Sequence, residues 1–168
     1  VMTVMLWRLD ADDIAGALEI ARYAMTYGLT MPTGRRPTPY LLAEEVALSA
    51  QRLLAAKQPV ELANLLDTIA LTERADMPDI VRAKLHKITG YVLRDANQLP
   101  EALTHLQRAI QLERTIGVKK DIEQLERQLR PKPEPAPKAT TTKPRTRKPA
   151  AKPAARRGRP PKTAKAAG

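Results

Sequence analysis

In the last 38 residues, 131–168, there is no Leu, Ile, Val, Met or aromatic side chain, so nothing apolar is larger than alanine or proline. A segment of that composition cannot recover by burial the conformational entropy that ordering costs. Any packed core must therefore come from 1–130, and 131–168 is expected to be disordered when free. Charge divides at the same point. Of the 29 Lys and Arg, 12 lie in 131–168, against one of the 18 Asp and Glu. The tail thus holds the entire net charge of +11, and the body is balanced.

The body reads as all-α. From Trp7 to Pro32 the apolar residues Ile14, Ala17, Leu18, Ala21 and Met25 recur at spacings of three and four, which lines one helix face. Asp10 or Asp12 is expected to cap the start, and Asp10, Asp12 and Asp13 suit the positive end of the dipole. Gly28 offers the C-terminal cap, and Pro32 forbids continuation. A second helix is expected over about Pro39–Lys57, capped by Thr38, with Leu42, Val46, Ser49, Ala50 and Leu53 inward. A third opens at Pro59 and buries Leu62, Leu65, Leu66, Ile69 and Ala70. The fourth and fifth, about Pro78–Asn97 and Pro100–Ile116, are joined so briefly that they must form an antiparallel hairpin.

After the break at Gly117, a last helix carries Val118, Ile122, Leu125 and Leu129 at coiled-coil spacing. It lasts under two heptads, so the stripe is expected to pack on its own domain rather than on another subunit. Gly90, Ala102, Ala109 and Leu106 resemble the small and large positions of a tetratricopeptide repeat. His86 and Leu93 stand where that repeat has its Trp and Tyr. The expected architecture is a compact bundle of helical hairpins, tetratricopeptide-like, with about six helices.

Four runs carry a wider resemblance: LDADDIAGALEIARYAMTYGLTMP from Leu9, AEEVA from Ala43, DMPDIVRAKLHK from Asp76, and ALTHLQRAIQLERTIGVKKDIEQLERQL from Ala102. Together, over roughly Met5–Arg130, they resemble the small terminase subunit of tailed temperate phages, the GpM family, called the terminase endonuclease subunit. The resemblance implies DNA packaging in the cytoplasm of a bacterial host. It implies double-stranded DNA, a large ATPase subunit and further copies of the chain as partners, and a connection with cohesive-end cleavage. It also implies a further N-terminal portion, so a chain starting at Val1 is expected to be a fragment. A basic tail is an unusual addition for such a family.

Candidate chemistry in the body is sparse. Without Cys there are no disulfides or thiolate metal sites. No apolar run nears the ~20 residues that span a bilayer, and VMTVMLWRL is too short for a signal peptide. There is no phosphate loop of the NTPase kind. Asp10, Asp12 and Asp13 are the catalytic candidates, since nucleases hold divalent ions on clustered carboxylates; a helix start explains the same trio. No catalytic residue, metal site or resident cofactor is assigned, a divalent ion entering only if the chain is nucleolytic. His86 and His105 are expected to be structural, and Trp7 and the methionines to fill the core.

The tail is more pointed. Arg156, Arg157, Gly158, Arg159, Pro160, Pro161 and Lys162 resemble the AT-hook, which binds the minor groove of A·T-rich DNA. A narrow A·T groove attracts inserted Arg, and Gly158 lets the backbone approach the groove floor. Pro160 keeps the strand extended. By that resemblance Arg157 and Arg159 read the groove, and Arg156 and Lys162 neutralise phosphates. The competing reading is a nonspecific polycation; either binds nucleic acid by releasing counterions. A membrane patch lacks a lipidation motif or apolar anchor. The chain thus divides into a helical domain (1–130), a Pro/Lys/Ala-rich linker (131–155), semi-stiff at its start, and the AT-hook-like tail (156–168). Two other functions remain open: a tetratricopeptide-like adaptor tethered to DNA, and a metal-dependent endonuclease in its own right.

Overall fold

The computed structural model describes residues 1–131 apart from Thr33 and Arg35. Among them are seven helices and no strand: α1 (Met2–Asp10), α2 (Ile14–Thr26), α3 (Thr38–Ala55), α4 (Leu62–Thr72), α5 (Asp79–Asp95), α6 (Leu99–Leu112) and α7 (Lys119–Leu129). The expected disorder of the tail concerns residues outside the described ones. No described helix is long and apolar enough to cross a membrane.

The helix beyond the expected six is α1. Met2, Met5 and Leu9, spaced three and four apart, are its buried face. Trp7 corrects an expectation: it is 65% exposed, not core. It lies two residues from both Met5 and Leu9, which on a helix is about 200° from the buried stripe. The methionines do face inward, with Met2, Met5 and Met77 buried and Met25 and Met31 packed against the core.

On α2, the residues Ile14, Ala17, Leu18 and Ala21 are buried as the spacing requires. Gly28, at φ +62°, ends that helix; Leu29 N–H donates to Ala24 O at 2.7 Å and Gly28 N–H to Met25 O at 3.4 Å, the Schellman arrangement. Thr38 is not a cap. It is the first residue of α3, and its hydroxyl donates to Leu29 O at 2.6 Å, tying down the preceding loop.

Helix α4 starts at Leu62 rather than Pro59; Leu65 is buried and Leu62 and Ile69 pack against the core as expected, but Leu66 and Ala70 do not. Leu66 is 41% exposed, whereas Thr68 and Thr72 are buried. Their hydroxyls donate to Asn64 O and Thr68 O, so burial leaves no unpaired polar atom.

Two apolar clusters result. The larger draws on α1 to α5, and the smaller joins Leu93, Ala102, Leu106, Val118 and Leu125 from α5, α6 and α7 with the turn before α7. The hairpin of α5 and α6 is the most extensive helix pairing in the fold. As expected, Gly90, Ala102 and Ala109 are buried at its seam and Leu106 is fully buried among them. The last stripe packs on its own domain: Val118 and Leu125 are buried, and only Leu129, 37% exposed, faces out.

Candidate functional site

The three aspartates sit where one helix stops and the next begins. Asp10 is the last residue of α1. Asp12 takes φ +60°; its N–H donates to Leu9 O at 3.0 Å and Asp13 N–H to Arg8 O at 2.8 Å, closing α1. Asp13, not Asp10 or Asp12, caps α2, with Oδ1 accepting from Gly16 N–H at 3.0 Å.

Both carboxylates are engaged. Asp12 Oδ1 accepts from Ser49 Oγ at 2.8 Å and from Arg52 Nη2 at 3.0 Å. Asp13 Oδ2 accepts from Arg8 Nη1 at 2.5 Å. These bonds hold both below the usual carboxylate range, Asp12 chiefly through the Ser49 hydroxyl and Asp13 chiefly through the Gly16 N–H. Gly16 leaves the space for the second pair, because a Cβ there would lie 2.1 Å from Arg8 Nη1. Burial, then Glu44 and Asp10, pushes the Glu45 carboxyl up. Among the described residues no three His, Asp or Glu side chains gather as a metal ion would require. Ser49 and Arg52 are not legible as partners in the sequence, because nothing local places α3 against this junction, whereas Arg8 and Gly16 are near neighbours of Asp13 that the sequence reading did not single out.

Chain closure thus accounts for the trio. Asp13→Ala should cost about 1 kcal/mol, the usual loss for a cap. Asp12→Ala should cost about 2 kcal/mol, since it strands Ser49 and Arg52 and puts a Cβ residue without side-chain help at positive φ. Urea unfolding measures both; an unchanged midpoint for Asp12→Ala would contradict the structural role.

His86 on α5 and His105 on α6 do more than share a region. Their Nδ1 atoms lie 3.0 Å apart, with ring centroids at 5.2 Å. One Nδ1 must carry a proton and the other must be bare, so the rings are opposite tautomers. Both are half-buried. Burial first, then His105, Arg108 and Arg82, lowers His86 to about 4, and burial also lowers His105. Unfolded, each ring would protonate near 6.5. Acid therefore favours the unfolded chain. The neutral pair's contribution is complete above about pH 6.5 and is lost as the pH falls toward 4, a decline of about 2 kcal/mol after allowing for partial exposure. Below the ordinary carboxylate range Asp12 and Asp13 add to the loss. Chemical denaturation across that range checks this, and His86→Gln with His105→Gln should flatten the upper limb.

Five arginines of the body are held by acids: Arg8–Asp13, Arg22–Asp67, Arg52–Asp12, Arg94–Asp121 and Arg36–Glu44 are ion pairs. A peptide-binding adaptor would need a groove between α5 and α6. A hollow of about 630 Å³ lies instead between α3 and α5, lined by Leu48, Gln51, Lys84, Lys87 and Tyr91, and no α6 residue contributes to it. Arg156, Arg157, Gly158, Arg159, Pro160 and Lys162 lie outside the described residues.

Residues 1–80 match the family model described as phage small terminase subunit. The chain is 61% identical over 164 residues to the "Terminase, endonuclease subunit" of Escherichia phage P2, a match covering 97% of this chain and 66% of that protein. Such coverage takes in most of 131–168, so the tail is not an addition peculiar to this chain. No solved structure matches.

Proposed function

The chain belongs to the phage small terminase subunit family, and from that premise we propose that it binds double-stranded viral DNA and directs cohesive-end cleavage and genome packaging. The large ATPase subunit would be its partner, and the setting the cytoplasm of a bacterial host. The helical body assembles, with further copies of itself and with the large subunit, while the basic tail grips the duplex. One observation carries this reading: the whole net charge of +11 is confined to 131–168, beside a body whose charges cancel. Twelve cations on a short strand release counterions from DNA, and the R-G-R-P core at Arg157–Pro160 suits an A·T minor groove.

Cleavage belongs to the assembled complex in this reading, with Asp10, Asp12 and Asp13 as helix-junction residues. The purified chain incubated with cohesive-end DNA and Mg²⁺ or Mn²⁺ should leave the DNA intact, and cutting should require the large subunit. Cutting by the chain alone, abolished by Asp12→Ala and Asp13→Ala with helicity retained, would instead assign the metal-dependent nuclease centre to that trio.

A further inference from the structure

Five arginines of the body are paired with acids; Arg82 and Arg108 are among those that make no ion pair with any described residue, and they are the two that flank the histidine pair. Arg82 lies four residues before His86 on α5, and Arg108 three after His105 on α6, spacings that put each pair on one helix face. The contact between the histidine rings joins the two stripes. Four nitrogen-bearing side chains thus meet on the α5–α6 face. Arg82 Nη2 donates to Ala75 O, which anchors the guanidinium and leaves other donors free. The nearest described partner of Arg108 is neutral, Gln111 at 3.5 Å.

The acids nearest along these helices are Asp79, one turn before Arg82, and Glu101, one turn before His105; both are exposed and neither is paired with the four. The charged groups acting on His86 are Arg82 and Arg108, and none from α3, α4 or α7 acts on either ring. A metal cation would meet two guanidiniums there. An anion would meet two cations and a pair of rings able to supply a third.

We propose that this face is a second DNA contact of the protein, in which Arg82 and Arg108 hold backbone phosphodiesters and the His86–His105 pair takes up a proton as the duplex binds. The inference rests on the DNA-binding reading above and adds a site on the helical body. A phosphodiester does not titrate near neutral pH, so the proton must come from solvent onto the pair. It is then shared as an N–H⁺···N bond, with its charge facing the phosphate. Binding is in turn tighter in mild acid, by up to about tenfold for each unit by which the duplex raises the pair's pKa. These are the only two histidines in the chain, which isolates the effect.

The test uses the full chain and a short duplex at fixed salt, with affinity measured by fluorescence anisotropy between about pH 7.5 and 5.5. Affinity should rise about tenfold across that range, and calorimetry in two buffers should register proton uptake. His86→Gln with His105→Gln should remove the rise, and Arg82→Ala with Arg108→Ala should weaken binding throughout and remove it too. Replacing Arg156, Arg157, Arg159 and Lys162 with Ala should weaken binding at every pH yet keep the rise. A rise undiminished in the double-Gln chain overturns the proposal, as does a wild-type affinity that is flat with pH. Loss of nothing on tail substitution would instead overturn the tail's role while leaving this site standing. The histidine NMR signals of the unaltered chain give an independent readout: both must titrate higher with duplex than without, and identical titrations overturn the proposal. Inorganic phosphate that reproduces the shift where duplex does not would overturn the nucleic-acid assignment.

Discussion

Removing residues 132–168 should lower affinity for duplex DNA by about three orders of magnitude at near-physiological salt. With about half of the tail's twelve Lys and Arg on phosphates, log K should fall with log salt at a slope of about −5. Truncation should leave a far shallower slope, because in the body 17 Lys and Arg are balanced by 17 Asp and Glu, so its field on DNA is weak. Anisotropy titrations at several salt concentrations measure both quantities. An affinity unmoved by truncation would place recognition wholly on the helical surface. The finer expectation concerns Arg157 and Arg159. Changing both to Ala should weaken an A·T-rich duplex more than a G·C-rich one, since only the narrow groove concentrates negative potential around inserted Arg. Equal losses would make the tail a simple polycation.

The second large effect is expected at the α5–α6 seam. A Cβ on Gly90 would lie 2.7 Å from Leu106 Cδ2, 2.8 Å from its Cγ and 3.3 Å from Ala102 O. Leu106 cannot step aside, being fully buried in the cluster with Leu93, Val118 and Leu125. Alanine gains about 1 kcal/mol in helix propensity over glycine. Overpacking nonetheless outweighs it, and Gly90→Ala should be destabilising by about 1–2 kcal/mol net. Gly90→Val, with two more methyls and no propensity gain of that size, should lose about 4 kcal/mol. Leu106→Ala alone should cost about 3 kcal/mol by leaving a cavity. The double change Gly90→Ala with Leu106→Ala should cost less than the sum of its parts, because the new methyl occupies vacated space. Thermal or urea unfolding of the four chains gives the coupling; strict additivity would mean the two residues do not touch.

The same seam shows how much was legible beforehand. Gly90, Ala102, Leu106 and Ala109 stood out because close helix packing demands small residues opposite a large one, and that pattern is written in the chain. Gly28 and Gly117 were legible as helix breaks, and both adopt positive φ. Lys57 also adopts positive φ, 56°, where its residue type carries no such signal; the bonds of Lys57 N–H to Leu54 O and Gln58 N–H to Leu53 O compensate there. On α4, Leu62, Leu65 and Ile69 meet the core as their spacing requires, but the burial of Thr68 and Thr72 is not legible, because threonine counts as polar although its hydroxyl can be satisfied by its own helix.

What the sequence determined by itself was everything that depends on neighbours within a turn or on bulk composition. That includes the helical periodicity, most of the breaks and the boundary near residue 130 between a chain able to bury a core and one that is not. Periodicity and burial capacity are local properties, summed along the chain. Only the tertiary structure decided which helix faces meet: that Trp7 points outward, that Asp12 reaches Ser49 and Arg52 on α3, and that His86 and His105 come within hydrogen-bonding distance. Those pairings depend on the register between helices, set by how side chains distant in sequence interlock.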